Sequence, residues 1–252
     1  MTLIPFLLVF ASLLSLSIAN ENNVLITGEV LGTDSQLSYL GAVFVMQGDC
    51  NLVLYNSGVG FQSDTHGDGV NCTLTLDDHG QLIIKSSDNT VVWTSVPRAN
   101  TKKGSYAAVV RPDGAVAVYG PTVWSTPKLD SSNADVYGSY KLNIPMVRNL
   151  LFSSQILYDN DEIAARDYSF IMRDDCDLVL DKGGKGVVWE SGSSGKGKNC
   201  FLRLDHKGQL SVNDDHNKIL WVSEAAGKDG DYVLIMQING QAAVYGPLVW
   251  ST

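Results

Sequence analysis

The ten residues 46–55, MQGDCNLVLY, alternate polar with apolar side chains in the manner of a β-strand. Residues two apart share a face of a strand, and the face expected to point to a core carries Met46, Cys50, Leu52 and Leu54, with Gly48 allowing close packing. The opposite face carries Gln47, Asp49, Asn51, Val53 and Tyr55. This second face is the strongest candidate for chemistry in the chain.

The chemistry of that face suits a sugar. It offers a carboxylate acceptor, two amides that donate and accept, a phenol, and one apolar side chain among them. A pyranose ring presents directional hydroxyl groups around an apolar patch of C–H groups, so the two surfaces are complementary. A plain solvated face is the simpler interpretation, and residue types alone leave both open.

The elements that carry this face belong to a duplicated chain. VFVMQGDCNLVLY matches SFIMRDDCDLVLD, and GSYAAVVRPDGAVAVYGPTVWST matches GDYVLIMQINGQAAVYGPLVWST, each pair 126 residues apart. Inside each half, short β-rich runs close on one aromatic ring, and these rings are Phe61, Trp93, Trp124, Trp189, Trp221 and Trp250. Units of about 30 residues cannot bury an apolar face alone, so we expect the three units of each half to share a core that their rings help to fill.

The sequence predicts an all-β protein of two tandem domains. Turn-forming runs such as DDHG and RPDG separate the strands, and no stretch after the leader has a helical period. Residues 1–19 lack charge, end in small residues, and predict a cleaved signal peptide. We expect domain 1 at 20–127, an exposed and processable connector at 128–145, and domain 2 at 146–252, with no membrane span.

Composition and cysteine spacing exclude several classes of function. A net charge of −9 argues against nucleic acid, which needs a basic face. Spacings of 22 and 24 residues favour disulfides Cys50–Cys72 and Cys176–Cys200 among three connectivities, and no CxxC or clustered histidine suggests a metal. The four histidines lack a paired nucleophile, an HExxH or a GxSxG pattern, so we expect neither an enzyme nor a cofactor.

The motif at 47–55 resembles a known family. Gln47, Asp49, Asn51, Val53 and Tyr55 fit the QxDxNxVxY signature of the bulb-type, or monocot mannose-binding, lectins at all five positions. The triplication, the Cys50–Cys72 spacing and the VW-S closures are also similar to that family, over nearly the whole mature chain, twice.

The resemblance implies fold, site and assembly. The implied fold is tandem β-prism II domains, each with three four-stranded antiparallel sheets about a pseudo-threefold axis. Asp49 and Asn51 would bind the axial 2-hydroxyl of mannose, Gln47 the 3-hydroxyl and Tyr55 the 4-hydroxyl, with Val53 against the ring carbons. The partners implied are mannose-containing glycans and further copies of the chain. The precursor would be cut in the connector, its halves would pair through the strands near Trp124 and Trp250, and two pairs would form an agglutinating tetramer.

The same register runs through five other units. The second (Asp77, His79, Gln81, Ile83, Lys85) and the fifth (Asp205, Lys207, Gln209, Ser211, Asn213) have lost the signature. The third (Arg111, Asp113, Ala115, Ala117, Tyr119) and the fourth (Arg173, Asp175, Asp177, Val179, Asp181) keep parts of it. The sixth keeps a hydrogen-bonding group at each polar position and is the candidate for a weaker sugar site: Gln237, Asn239, Gln241 and Tyr245.

These features predict a mannose-binding lectin with a defence or storage role in a plant, in the secretory pathway and then secreted or vacuolar. The alternative is a storage or taste-active member of the same fold that has lost sugar binding, which the five altered units favour. Asn71-Cys72-Thr73 also fits the N-glycosylation sequon.

Overall fold

The computed structural model describes residues 23–58, 60–96, 101–127, 149–224 and 227–252. The predicted signal peptide and connector lie outside these residues. Within them the regular secondary structure is entirely β, and no helix is long and apolar enough to cross a membrane.

Each half contributes an equivalent series of short strands, mostly of four residues. Those of the first half are β1 (Val24–Ile26), β2 (Val30–Leu31), β3 (Gln36–Tyr39), β4 (Ala42–Met46), β5 (Leu52–Tyr55), β6 (Phe61–Gln62), β7 (Thr73–Leu76), β8 (Leu82–Lys85), β9 (Val91–Thr94), β10 (Ala107–Val110), β11 (Val116–Tyr119) and β12 (Thr122–Ser125). Those of the second half are β13 (Leu150–Phe152), β14 (Ile156–Tyr158), β15 (Glu162–Ala165), β16 (Tyr168–Met172), β17 (Leu178–Lys182), β18 (Gly186–Glu190), β19 (Phe201–Leu204), β20 (Leu210–Asn213), β21 (Ile219–Val222), β22 (Val233–Met236), β23 (Ala242–Tyr245) and β24 (Leu248–Ser251).

In the described residues the strands form six four-stranded antiparallel sheets, three in each of two prisms. The sheets of the first prism are β3-β4-β5-β6, β2-β7-β8-β9 and β1-β10-β11-β24. Those of the second prism are β15-β16-β17-β18, β14-β19-β20-β21 and β13-β22-β23-β12. The predicted fold class, tandem β-prism domains, is confirmed.

Apolar side chains that alternate with polar ones along the strands fill the centre of each prism. Side chains at every second position point inward, so each sheet contributes a row of apolar residues to a shared centre. In the first prism Phe44 of β4, Leu74 of β7 and Val118 of β11 all belong to one buried cluster. A separate cluster, with Phe170, Leu202 and Val244, fills the second prism.

The two prisms exchange their last strands. β24, from the end of the chain, pairs with β11 in the first prism, where Trp250 lies opposite Val118. β12, from the first half, pairs with β23 in the second prism, where Trp124 lies opposite Val244. Each prism is therefore completed by a strand from the other half, and the prisms do not coincide with the sequence halves.

The exchange corrects the expectation that each half gathers its own three rings. Phe61 packs with Trp93 and with Trp250 of the second half, and the ring centroids of Phe61 and Trp250 are 5.8 Å apart. Trp189 and Trp221 pack with Trp124 of the first half, with centroids 5.8 to 6.1 Å apart. The repeats had shown the equivalence of the rings but not the route of the chain between the prisms.

A third apolar cluster joins the prisms. It lies between the outer faces of the two sheets that contain exchanged strands, and Val109 and Tyr119 meet Val233 and Tyr245 there. Two buried asparagines bond reciprocally at this junction: Asn23 Nδ2 donates to Asn149 Oδ1 (2.8 Å), and Asn149 Nδ2 donates to Asn23 Oδ1 (3.1 Å). Because both amides are satisfied, the polar pair fits within an otherwise apolar interface.

We expect Trp250→Ala to destabilise the first prism, although Trp250 belongs to the second half. The substitution removes the ring that packs on Phe61, and should lower the free energy of unfolding by about 2–3 kcal/mol, below the cost for a fully buried ring. Amide hydrogen exchange should show lost protection in β11, with Trp250→Phe as the control. Lost protection confined to β22 and β23 would contradict the exchange.

Candidate functional site

The stretch 46–55 is a β-hairpin, which corrects its interpretation as one strand. β4 ends at Met46 and β5 begins at Leu52, and the Gln47 N–H donates to the Asn51 carbonyl across the turn (2.9 Å). Cys50 lies in the left-handed region with φ of +71°. Alternation persists through the turn, because Cys50 and Leu52 are buried while Asp49 and Asn51 are half-exposed. Gly48 is exposed beside Asp34, not packed against the core.

Both carboxylate oxygens of Asp49 are held. Oδ1 accepts the Asn51 N–H at 2.9 Å, and Oδ2 lies 2.8 Å from Nδ1 of His66. The Asn51 N–H and then the His66 imidazole hold the pKa of the Asp49 carboxyl below its ordinary value. Each oxygen keeps a second lone pair, so Asp49 is an oriented anionic acceptor.

Asn51 is oriented by the loop that follows β6. Its side-chain Oδ1 accepts from Ser63 Oγ (3.1 Å) and from the Thr65 N–H (3.3 Å). The carbonyl oxygen is thereby turned toward the loop, which leaves the Nδ2 amide as the donor for a ligand. A fixed acceptor on Asp49 and a fixed donor on Asn51 thus stand on the same face.

The remaining signature residues complete the face. Gln47 Nε2 donates to the Tyr55 hydroxyl oxygen at 2.9 Å, which leaves Gln47 Oε1 as an acceptor and the Tyr55 O–H as a donor. Val53 is half-buried, and its cross-strand partner Val45 shares its face. The arrangement can bind a polyhydroxylated ring that lays apolar C–H groups on Val53, and the structure brings all five predicted residues to one face.

Sequence reasoning missed the loop residues Ser63, Thr65 and His66, which orient the face. Ser63 Oγ also accepts the Leu52 N–H at 2.9 Å, and the buried Thr65 hydroxyl donates to the Cys50 carbonyl at 2.6 Å. A signal was present in the repeats, since SDTH at 63–66 corresponds to SGSS at 191–194.

The hydroxyl at the Ser63 position is a shared structural element of the described sheets. Two residues beyond each closing ring, a Ser or Thr oxygen accepts a backbone N–H of a neighbouring strand, at 2.9 to 3.1 Å. These residues are Ser63, Ser95, Thr126, Ser191, Ser223 and Thr252. These Ser and Thr residues therefore stabilise the fold, and among the described sheets Ser63 alone also orients a complete polar face.

The fourth unit keeps this scaffold but alters its face. Asp177 Oδ1 accepts from Ser191 Oγ (2.7 Å) and the Ser193 N–H (3.0 Å), as Asn51 does in the first unit. Asp177 then offers a second oxygen where Asn51 offers a donor. Val179 is 0% exposed and therefore cannot contact a sugar ring, unlike Val53.

The second and fifth units use their signature positions to stabilise turns. Asp77 Oδ1 and Asp205 Oδ1 each accept two backbone N–H groups of their own turns. Gln81 Nε2 and Gln209 Nε2 donate to the carbonyls of Ser95 and Ser223. The amides that would face a ligand are thereby used within the fold.

The third and sixth units face each other between the prisms. Ala117 and Tyr119 are buried there, and burial raises the pKa of Tyr119 to about 12. In the sixth unit Gln237 and Tyr245 bond to each other at 2.9 Å and are 5% and 2% exposed. Gln241 Nε2 donates to Ser125 Oγ and the Thr126 carbonyl. The weaker sugar site predicted at Gln237, Asn239, Gln241 and Tyr245 therefore lies on a face that is closed to a sugar.

Other predicted residues lie away from this face. The structure contains the disulfides Cys50–Cys72 and Cys176–Cys200, and Cys50 ties the signature hairpin to β7. Asn71, the sequon residue, is exposed beside Cys72. In the described part of the chain, one group of possible metal ligands lies within 4.8 Å, on the turn at Asp214, Asp215 and His216.

A concave surface also lies between the prisms, remote from the signature hairpin. Its volume is about 610 Å³, and it includes Tyr106, Pro121, Tyr232 and Pro247.

Comparisons with known proteins place the chain among lectins. Mannose-specific lectin 3 of Crocus vernus is 58% identical over 234 residues, which cover 92% of this chain and 99% of the relative. Mannose-specific lectin 2 of Colocasia esculenta is 44% identical over 236 residues, covering 94% and 87%. The agglutinin of Scilla campanulata, described as fetuin-binding and as a two-domain lectin, superposes with a TM-score of 0.80 at 29% identity, over 92% of this chain and all of that one. No family model matches the chain.

Two exchanged threefold prisms with an open polar hairpin face define a two-domain lectin of the β-prism II class. The chain belongs to the bulb-type, or monocot mannose-binding, lectin family.

We expect Thr65→Val to loosen the loop that orients Asn51. Valine keeps the volume but leaves the buried Cys50 carbonyl without its donor, so the free energy of unfolding should fall by about 1–2 kcal/mol. Chemical denaturation would measure the change. Thr75→Val is the matched control, because the Thr75 hydroxyl makes only a 3.5 Å contact. Equal effects of the two substitutions would contradict the role given to Thr65.

Proposed function

We propose that the chain is a mannose-binding lectin whose operative site is the face of Gln47, Asp49, Asn51, Val53 and Tyr55. The observation that carries the proposal is the orientation of Asn51, whose carbonyl oxygen is held by Ser63 and Thr65 so that its amide donates outward beside Asp49. The relatives from Crocus and Colocasia are named mannose-specific lectins, which supports the same ligand.

The axial 2-hydroxyl of mannose satisfies this pair of groups at once. A hydroxyl donates one hydrogen bond and accepts others, so it can donate to Asp49 and accept from Asn51 Nδ2. In glucose the 2-hydroxyl is equatorial, which leaves both protein groups unpaired in the complex and disfavours binding. Gln47 Oε1 then takes the 3-hydroxyl, Tyr55 the 4-hydroxyl, and Val53 the ring carbons.

The proposed role is that of a binding protein without enzymatic activity, acting through several sites together. Four or five hydrogen bonds at ~0.5–1.5 kcal/mol each give only about millimolar affinity for one sugar. Linked sites raise the effective affinity for a branched glycan by orders of magnitude. We therefore include in the proposal self-association to a tetramer, after cleavage within 128–145, and agglutination of cells that display terminal mannose or high-mannose N-glycans.

The cellular setting belongs to the same proposal. The predicted signal peptide at 1–19 and the two disulfides agree with passage through the secretory pathway to a secreted or vacuolar destination. We include a role in plant defence or storage in the same proposal.

A storage or taste-active protein without sugar binding is the second candidate. It is favoured by the closed or altered faces of the other five units, which leave one complete face in the described chain. The two candidates differ in the behaviour of that single face.

We expect Asn51→Asp to abolish retention on immobilised mannose and to lower affinity at least tenfold. The fold should persist, because Asp177 accepts the same two bonds in the second half. The outward donor, however, becomes an oxygen that repels Asp49. Isothermal titration calorimetry with mannose and glucose would measure the affinity.

Asn89→Asp is the matched control. It introduces the same charge at an exposed turn of another sheet and should bind as the wild type does. Binding of Asn51→Asp at wild-type affinity would show that this face is not the operative site. A wild type that binds no mannose would favour the storage protein.

A further inference from the structure

His66 extends the signature face beyond its five residues. It follows β6, on the loop that runs beside the signature hairpin, and its Nδ1 lies 2.8 Å from Asp49 Oδ2. Both neighbours of His66 are anchored to the hairpin. The Thr65 hydroxyl donates to the Cys50 carbonyl, and the Gly67 N–H donates to the Asp49 carbonyl at 2.8 Å. The backbone at His66 is thus fixed on both sides, while the His66 side chain is 77% exposed.

The second half repeats this arrangement with a different donor. Ser194 Oγ donates to Asp175 Oδ2 at 2.9 Å, and the Gly195 N–H donates to the Asp175 carbonyl at 2.7 Å. The position thus supplies a donor to the outer carboxylate oxygen in both halves. In the first half, where the face is complete, that donor is an imidazole.

We propose that His66 is a positioning residue of the mannose site, whose Nδ1–H orients Asp49 Oδ2 toward the sugar 2-hydroxyl. The inference rests on the proposed function. With the Asn51 N–H on Oδ1 and the imidazole on Oδ2, the plane of the carboxylate is fixed before the sugar arrives. Preorganisation of this kind spares the complex the cost of ordering the acceptor on binding.

The contact gives sugar binding a dependence on pH. His66 is the second-largest cause, after the Asn51 N–H, of the lowered pKa of Asp49. The other titratable groups around them are Asp34 beside the turn, Asp64 and Asp68 on the loop, and Tyr55 on the face, and none of these is a cation. Binding needs the ionised carboxylate and is lost as the pH falls through the pKa of Asp49. Removing His66 raises that pKa, so binding should then be lost at a higher pH.

The experiment compares His66→Ala and His66→Ser with wild type in the full chain. For His66→Ala we expect mannose affinity at neutral pH to fall about two- to fivefold, the range of one exposed contact to a carboxylate. The acid limb of the plot of mannose affinity against pH should move to higher pH. The titration of the Asp49 carboxyl, followed by carbon NMR in the absence of sugar, should move in the same direction. His66→Ser should keep most of the neutral-pH affinity, because a serine makes the same contact in the second half.

His79→Ala is the matched control, since His79 is an exposed histidine on a turn of the second sheet and contacts Asp78 at 3.7 Å. His79→Ala should change neither the pH dependence of mannose binding nor the titration of Asp49. If wild type binds mannose and His66→Ala has the same affinity, acid limb and Asp49 titration, the role of His66 is overturned while the lectin stands. If wild type binds no mannose, the proposed function fails, and the positioning role fails with it.

Discussion

The exchange of β12 and β24 is the constraint on which the rest of the structure depends. A sheet of three strands would leave the edges of β11 and β23 without partners, and in each prism the missing strand comes from the other half. The exchanged strands also bring Trp250 and Trp124 into the central aromatic clusters. One feature of the chain path therefore supplies backbone bonds, core packing and the association of the two prisms.

The exchange of strands also decides which of the six signature faces remain open to solvent. Because the sheets that contain the exchanged strands pack face to face, the third and sixth units are buried between the prisms. Ala117 and Ala243 suit that apolar contact, and Tyr119 and Tyr245 fill it. Residues that look like decayed binding positions are thus interface residues. The altered signatures of the third and sixth units have a structural cause. In the fourth unit the chemistry changes, because Asp177 replaces Asn51, and the face is also buried at Val179.

The open face at 47–55 is built from the same kind of turn hydrogen bonds that occur elsewhere in the described chain. A carboxylate or amide oxygen accepting a backbone N–H closes the corresponding turns at Asp49, Asp113, Asp175 and Asn239. A hydroxyl beyond each ring joins neighbouring strands in the described sheets. At the first hairpin these same bonds leave a second lone pair on each Asp49 oxygen and the Asn51 Nδ2 amide available to a ligand. The bonds that stabilise the turn therefore also preorganise the acceptor and the donor. Rigidity of the site therefore follows from the stability of the fold.

The sequence by itself determined the local features: the repeats, the all-β class, the alternation that buries Leu52 and Leu54, and the five polar and apolar residues of the signature. These follow from residue type and spacing, which act over a few residues. The tertiary structure decided what depends on contacts across many residues. It added Ser63, Thr65 and His66 to the face of the signature hairpin, exchanged the rings between halves, and closed the face at Gln237 and Tyr245. Equivalent repeats have equivalent local propensities, so only packing could distinguish the face that stays open from those that do not.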